Sequence, residues 1–227
     1  MTHMMKSRAA LAVAALVPAL VAGCSSGGET NPAGRILTSI IPAAASIPGL
    51  EPPPPPPVPG FEAADIAAAP DAYVILHAEV LGDPVLARLI SDGGGVQTFL
   101  SQANQTASYR DGILVSTRGM GEDLIAASVT GVRAALAAGG GSAVRIHDRI
   151  DDQDGILRQT FACEIVADGV QTVDLGTRQV AATFFRENCV SDALSFENNY
   201  WVGAGGEIVS SLQFVTLGIT YLRRNEI

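Results

Sequence analysis

The stretch STRGMGEDL, Ser116 to Leu124, sets Arg118 ahead of Gly119-x-Gly121 and an acidic pair that ends at Asp123. Glycines so spaced let a backbone approach a phosphate, and an arginine fork could clamp one. The third glycine of a dinucleotide fingerprint is missing, and so is the Gly-Lys-Ser/Thr of a P-loop, so no cofactor is expected. DDQDG, residues 151–155, offers three acids and a glycine but lacks the glutamate that closes an EF-hand, and it reads as a surface turn. No Gly-x-Ser-x-Gly elbow occurs, and His77 alternates with apolar neighbours in a strand-like run. Tyr200 and Trp201 could stack on a sugar ring, although a lone tryptophan in a β domain is more often core. Paired carboxylates for glycan cleavage are a spatial arrangement and leave no mark in a sequence.

The chain has three cysteines, at 24, 163 and 189. The first ends the run ALAVAALVPALVAGC, which follows Lys6 and Arg8. A basic start, an apolar stretch too short to span a bilayer and a small-residue end describe a signal peptide, residues 1–23. LVAGC resembles the bacterial lipobox, which implies a lipid on the Cys24 thiol and cleavage ahead of it. Ser25 replaces the aspartate that would resemble an inner-membrane retention signal, so the outer membrane, facing the periplasm, is the expected address. Several acyl chains would anchor the protein firmly where one would be marginal. In an oxidising compartment the remaining pair, Cys163 and Cys189, is expected to form a disulfide closing a loop of about 25 residues, with about 3 kcal/mol of stabilisation in the chain-entropy model. Two cysteines with scattered His77 and His147 lack zinc-ligand spacing, and no metal is expected.

These residues need a scaffold. Losing the signal peptide moves the formal charge from −9 to −11, which disfavours nucleic acid as a partner. Residues 24–70 read as an acylated cysteine and a flexible, disordered tether, in which EPPPPPPVPG forms a polyproline spacer and FEAADIAAAPDA a short helical lead-in. Residues 71–227 read as one β domain. AYVILHAEVL, VLARLIS and VQTFLSQ are strand-like, and TASYRDGILVST carries a tight Asp-Gly hairpin. EDLIAASVTGVRAALAAGGG shows helical spacing through Leu124, Ile125, Val129, Val132 and Leu136, in one piece or two. SAVRIHDRI, GILRQTFACEIVAD, VQTVDLGTRQVAATFFRENC, NNYWVGAGGEIVSSLQFVT and ITYLRRNEI follow as strands broken at DDQDG, DG, SDAL and GAGGE. The expected fold is mainly β, an antiparallel sandwich or curled sheet with one or two short helices.

Two separated stretches, GILVSTRGMGEDLIAAS and ENC followed by FENNYWVGAGGEIVSSLQFV, resemble the YjbF family, also described as group 4 capsule polysaccharide lipoproteins. The resemblance covers about residues 71–227 and the lipobox. In the family's last motif, Ser-Arg-Gln-Trp, this chain keeps Gln213 but has Leu212 and Phe214 in place of arginine and tryptophan. The resemblance implies an antiparallel β lipoprotein of the outer membrane serving exopolysaccharide or capsule production, with polysaccharide or envelope export proteins as partners. It brings no catalytic residues, so a non-enzymatic accessory role is expected. The alternatives are a polysaccharide lyase or hydrolase and a structural envelope lipoprotein. Within the motif, Gly119 and Gly121 are expected to shape a strand-to-helix corner. Arg118 is expected to clamp Asp123 or a backbone carbonyl there, or else to line an acidic-glycan groove with Asp123, Tyr200 and Trp201.

Overall fold

The structure, a computed structural model, describes residues 60–151 and 153–227. The signal peptide, Cys24 and the proline run up to Pro59 lie outside the described residues. Residues 60–70, inside the expected tether, are ordered around the helical lead-in, α1 (Ala63–Ala68). The Tyr73 hydroxyl donates to the Gly60 carbonyl at 2.6 Å, and Phe61 packs edge-on against the Tyr73 ring.

Twelve strands form one antiparallel sheet: β1 (Tyr73–His77), β2 (Val85–Gly93), β3 (Val96–Ser101), β4 (Thr106–Arg110), β5 (Ile113–Arg118), β6 (Ala126–Ser128), β7 (Gly140–Ile150), β8 (Ile156–Asp174), β9 (Gln179–Val190), β10 (Ser195–Val202), β11 (Ile208–Phe214) and β12 (Tyr221–Glu226). Strands β1 to β5 make one meander of hairpins and β6 to β12 another, and the two join where β1 pairs with β12. The far edges, β5 and β6, come together: the Thr117 amide donates to the Leu124 carbonyl at 2.9 Å, and the Ile125 amide to the Asp148 carbonyl of β7 at 2.8 Å. Closing a sheet on itself removes exposed edges, so the curled-sheet expectation is met by a nearly closed barrel.

Local sequence dictates many of the turns. Asp111 and Gly112 both take positive φ, 49° and 80°, the twist that a two-residue hairpin needs. A side chain at Gly112 would also strike Ile208 Cβ at 2.7 Å, so this turn presses directly on β11.

Three expectations are corrected. The helical reading over 122–141 holds only for α2 (Thr130–Ala137); its first half is a turn and the short strand β6. Edge closure outweighs helical spacing there, because Leu124 and Ile125 supply backbone groups to both neighbouring strands. The Asp-Gly at 168–169 does not end a strand. Gly169, at φ 80°, sits in a bulge between Ala167 and Val170, so β8 runs on for 19 residues and VQTVDLGTRQVAATFFRENC divides instead at its own Gly176. AYVILHAEVL is a strand only to His77; Glu79–Leu81 is a 3-10 turn.

The interior is filled. One cluster joins Phe161, Ile165, Phe185, Phe196 and Phe214 to the buried face of α2, Val132, Ala135 and Leu136. A second joins Leu76, Phe99, Tyr109, Leu124 and Leu222 across β1 to β5 and β12. Between them lies a set of polar side chains.

Candidate functional site

Because successive strand residues face opposite ways, Arg145 of β7, Glu187 of β9, Asn198 and Tyr200 of β10 and Gln213 of β11 all point inward, each at most 1% exposed. Arg145 is bidentate to Glu187, Nε to Oε1 and Nη2 to Oε2, both at 3.0 Å. Its Nη2 also donates to the Tyr200 hydroxyl at 2.7 Å, and that hydroxyl donates to Glu187 Oε2 at 2.6 Å. Asn198 Nδ2 donates to the same carboxylate oxygen at 2.7 Å, while Asn198 Oδ1 accepts the Phe214 amide at 2.7 Å. Gln213 reaches across the interior: its Oε1 accepts the Leu114 amide at 2.9 Å and its Nε2 donates to the Gly112 carbonyl at 3.0 Å. Burial disfavours the Arg145 charge, but Tyr200 and Glu187 more than offset it and its pKa stays above the ordinary value. Burial holds the Tyr200 phenol well above its usual pKa, against the pull of the Arg145 cation. The groups bond to one another and to the backbone of Phe214, Leu114 and Gly112, so the network braces the barrel, and its burial presents no acid, base or nucleophile to solvent.

Beside this network Cys163 and Cys189, directly paired across β8 and β9, form the expected disulfide. Glu187 lies within reach of both sulfurs, yet a metal would need thiolates and the disulfide consumes both. His147 is buried between the rings of Phe161 and Phe196, with centroids 5.3 and 5.6 Å away, and its Nε2 has no partner. Burial first, then the Arg145 and Arg149 cations, lower its pKa to about 3.

The Gly-x-Gly stretch is the barrel's seam. Arg118, exposed at the edge of β5, donates from Nη1 to the Leu124 carbonyl and from Nη2 to the Ile125 carbonyl, each at 3.1 Å. Asp123 caps the turn instead of meeting Arg118. Its carboxylate accepts the Thr117 hydroxyl at 2.8 Å and the amides of Gly119 at 2.8 Å and Met120 at 3.3 Å. Gly119 and Gly121, at φ 78° and 107°, supply left-handed backbone. They turn β5 into β6 rather than into a helix, so the corner joins two strands. Glu122 ties this loop to the one before β12, accepting the Gly218 amide at 3.1 Å and, through its carbonyl, the Thr216 hydroxyl at 2.8 Å.

Tyr200 and Trp201 cannot line one groove, because Tyr200 is sealed inside and Trp201 lies on the outer face. There the Trp201 ring packs on Phe184 with centroids 5.0 Å apart, and Arg223 lies over it at 5.1 Å. Elsewhere a pocket of about 70 Å³, lined by Leu76, Leu81, Val85, Met120 and Leu222, holds one titratable side chain, Asp83, where acid–base cleavage needs two. No helix among the described residues is long and apolar enough to cross a membrane. The outer face also carries Glu164 and the Asp148–Arg158 ion pair, charges that a lipid-facing band does not accommodate.

Sequence reasoning did not single out Arg145, Glu187 or Asn198. Two of them stood inside quoted motifs, Glu187 in ENC and Asn198 in FENNYWV, and their two-residue alternation with Phe185, Cys189, Phe196 and Tyr200 is the sign that they share the core face.

No curated protein sequence matches the chain. The crystal structure of the hypothetical lipoprotein YmcC from Escherichia coli (K12) is similar, with a TM-score of 0.62 and 21% identity, over 74% of this chain and 88% of that one. That likeness establishes the fold. The family model described as "Group 4 capsule polysaccharide lipoprotein gfcB, YjbF" matches residues 57–224. The match holds both the seam and every member of the inner network: the chain belongs to the YjbF family of group 4 capsule polysaccharide lipoproteins.

Proposed function

We propose that this protein is an outer-membrane lipoprotein, held through acylated Cys24 with its barrel in the periplasm, and that it serves capsule or exopolysaccharide assembly or export by binding rather than by chemistry. Residues 1–23 act as the signal peptide, and the segment from Cys24 to the barrel acts as the tether. One observation carries the non-enzymatic part. The convergent charged and phenolic groups, Arg145, Glu187 and Tyr200, are sealed in the interior and bonded to one another. A catalytic acid or base must reach substrate, and these cannot without opening the barrel. Family membership supports the envelope and polysaccharide part.

The test has two arms. Deleting the gene is expected to lower surface or secreted polysaccharide, with Cys24→Ala failing to restore it and losing the membrane fraction; unchanged polysaccharide would remove the functional reading. Incubating the purified protein with the organism's own polysaccharide is expected to leave chain length unchanged, and shortening would make it an enzyme.

A further inference from the structure

The outer face of β9 to β12 and β1 carries two adjoining rows of side chains. Register places Phe184, Trp201, Ser210 and Asn225 in one row. The next row holds Arg186, Asn199, Leu212, Arg223 and, on β1, His77. All of the second row, with Phe184 and Trp201, are half-buried, so the face is open to solvent yet shaped. One wall comes from the long β8–β9 hairpin. Beyond the Gly169 bulge it leans over the sheet, where Gln171 accepts the Trp201 indole N–H at 3.3 Å and Leu175 accepts from Asn225 at 3.4 Å.

Arg223 touches the Ser210 hydroxyl at 3.3 Å and the Trp201 ring, and no carboxylate among the described residues pairs with it. Arg186 pairs with Asp168 at 3.1 Å, both about half exposed. Glu197 stands one row further along β10. An indole with an unpaired planar guanidinium over its ring, and an amide at Asn199 in the next row, offers what a sugar ring bearing a carboxylate needs once the guanidinium swings onto that carboxylate. The apolar face of a pyranose packs on the indole, and the carboxylate takes the fork.

Resting on the binding role proposed above, we infer that the Trp201–Phe184–Arg223 face is a binding site for an anionic polysaccharide, taking one uronate-type residue on Trp201 with its carboxylate on Arg223.

The protein's single tryptophan is Trp201, so its fluorescence reads this site alone. The full chain, purified in detergent, would be titrated with polygalacturonate, with neutral dextran and with polyglutamate. Polygalacturonate is expected to shift or quench the emission saturably, with the other two at least tenfold weaker. Arg223→Gln is expected to weaken the response about tenfold or more, as befits a lost charge-assisted bond, Arg223→Lys to recover part of it, and Arg158→Gln to leave it unchanged. Unaltered unfolding midpoints would show that the variants are folded. An equal response to dextran removes the charge half of the inference, and an equal response to polyglutamate removes the stacking half. No response to any polymer, or an emission change with protein concentration alone as a second copy covers the face, overturns it. The cellular deletion is independent: lost polysaccharide with a silent tryptophan would sink the site and spare the function, and the reverse pattern would sink the function and spare the site.

Discussion

Arg145 and Arg223 lie on opposite faces of the same sheet and are used in opposite ways. Arg145 is 1% exposed, bidentate to a buried carboxylate, and hydrogen-bonded to a phenol that itself donates to that carboxylate. Arg223 keeps a half-open face, one hydroxyl contact and an indole, and burial alone lowers its pKa, with no acid to offset it. Burial closes the inner arginine to any ligand; the outer one has most of its fork free. In this barrel the conspicuous charged cluster is therefore architecture, and the modest surface cluster is the place to look for recognition.

The largest expected effect breaks the inner half of that contrast. Glu187→Gln strands the Arg145 charge in the core and is expected to cost about 3–5 kcal/mol in urea unfolding. The double replacement Arg145→Met with Glu187→Leu should recover much of that, because the isolated charge is the penalty; equal losses in both would show that the network matters through something other than charge. Next comes the disulfide. Its 26-residue separation implies that Cys163→Ala with Cys189→Ala costs about 3 kcal/mol in the chain-entropy model, read from the denaturation midpoint without reductant.

His147 tests the same interior by pH. Its folded pKa, about 3, lies below the ordinary 6.5, so folding favours the neutral ring. That contribution is fully present above pH 6.5 and is lost as pH falls toward 3, by at most about 1.4 kcal/mol per pH unit. His147→Phe should flatten this part of the stability profile relative to the parent, and a profile of unchanged slope would count against a buried neutral imidazole.

Arg118→Ala at the seam removes three backbone-carbonyl contacts, two of them across to Leu124 and Ile125, and is expected to cost about 1–2 kcal/mol. Amide exchange should quicken first at Thr117 and Ile125, the two bonds that close the edges. Smallest of all is the stability effect of Arg223→Gln, within about 0.5 kcal/mol as for an ordinary surface change, and this is what sharpens the comparison. A large stability loss there would make Arg223 another brace.

Hairpins were legible where turn chemistry is local. Asp111-Gly112 takes positive φ at both positions, so neighbours in sequence dictate the geometry. The segment from Leu124 to Ser128 was not legible. Its apolar spacing fits a helix, and only β5 and β7 arriving on either side turn it into the piece that closes the sheet. The inner network was hidden for a related reason. In Ala143-Val-Arg-Ile-His147 the apolar side chain Val144 faces out, 57% exposed, and Arg145 and His147 face in. Read alone, that strand would be assigned the opposite way.

The sequence by itself determined the strand-rich character, the cysteine pair and the two motifs that mark the family, because these depend on residues near one another or on composition. Tertiary structure decided which face of each strand is the core, that Asp123 caps a turn while Arg118 stitches two edges, and that Tyr200 and Trp201 serve opposite sides. The core-face assignment depends on distant partners, such as Glu187 for Arg145 and Gln213 for Leu114, whose positions exist only once the sheet has closed. Asp123 and Arg118 find their partners within seven residues, but which partner each takes is set by the edge that Leu124 and Ile125 close.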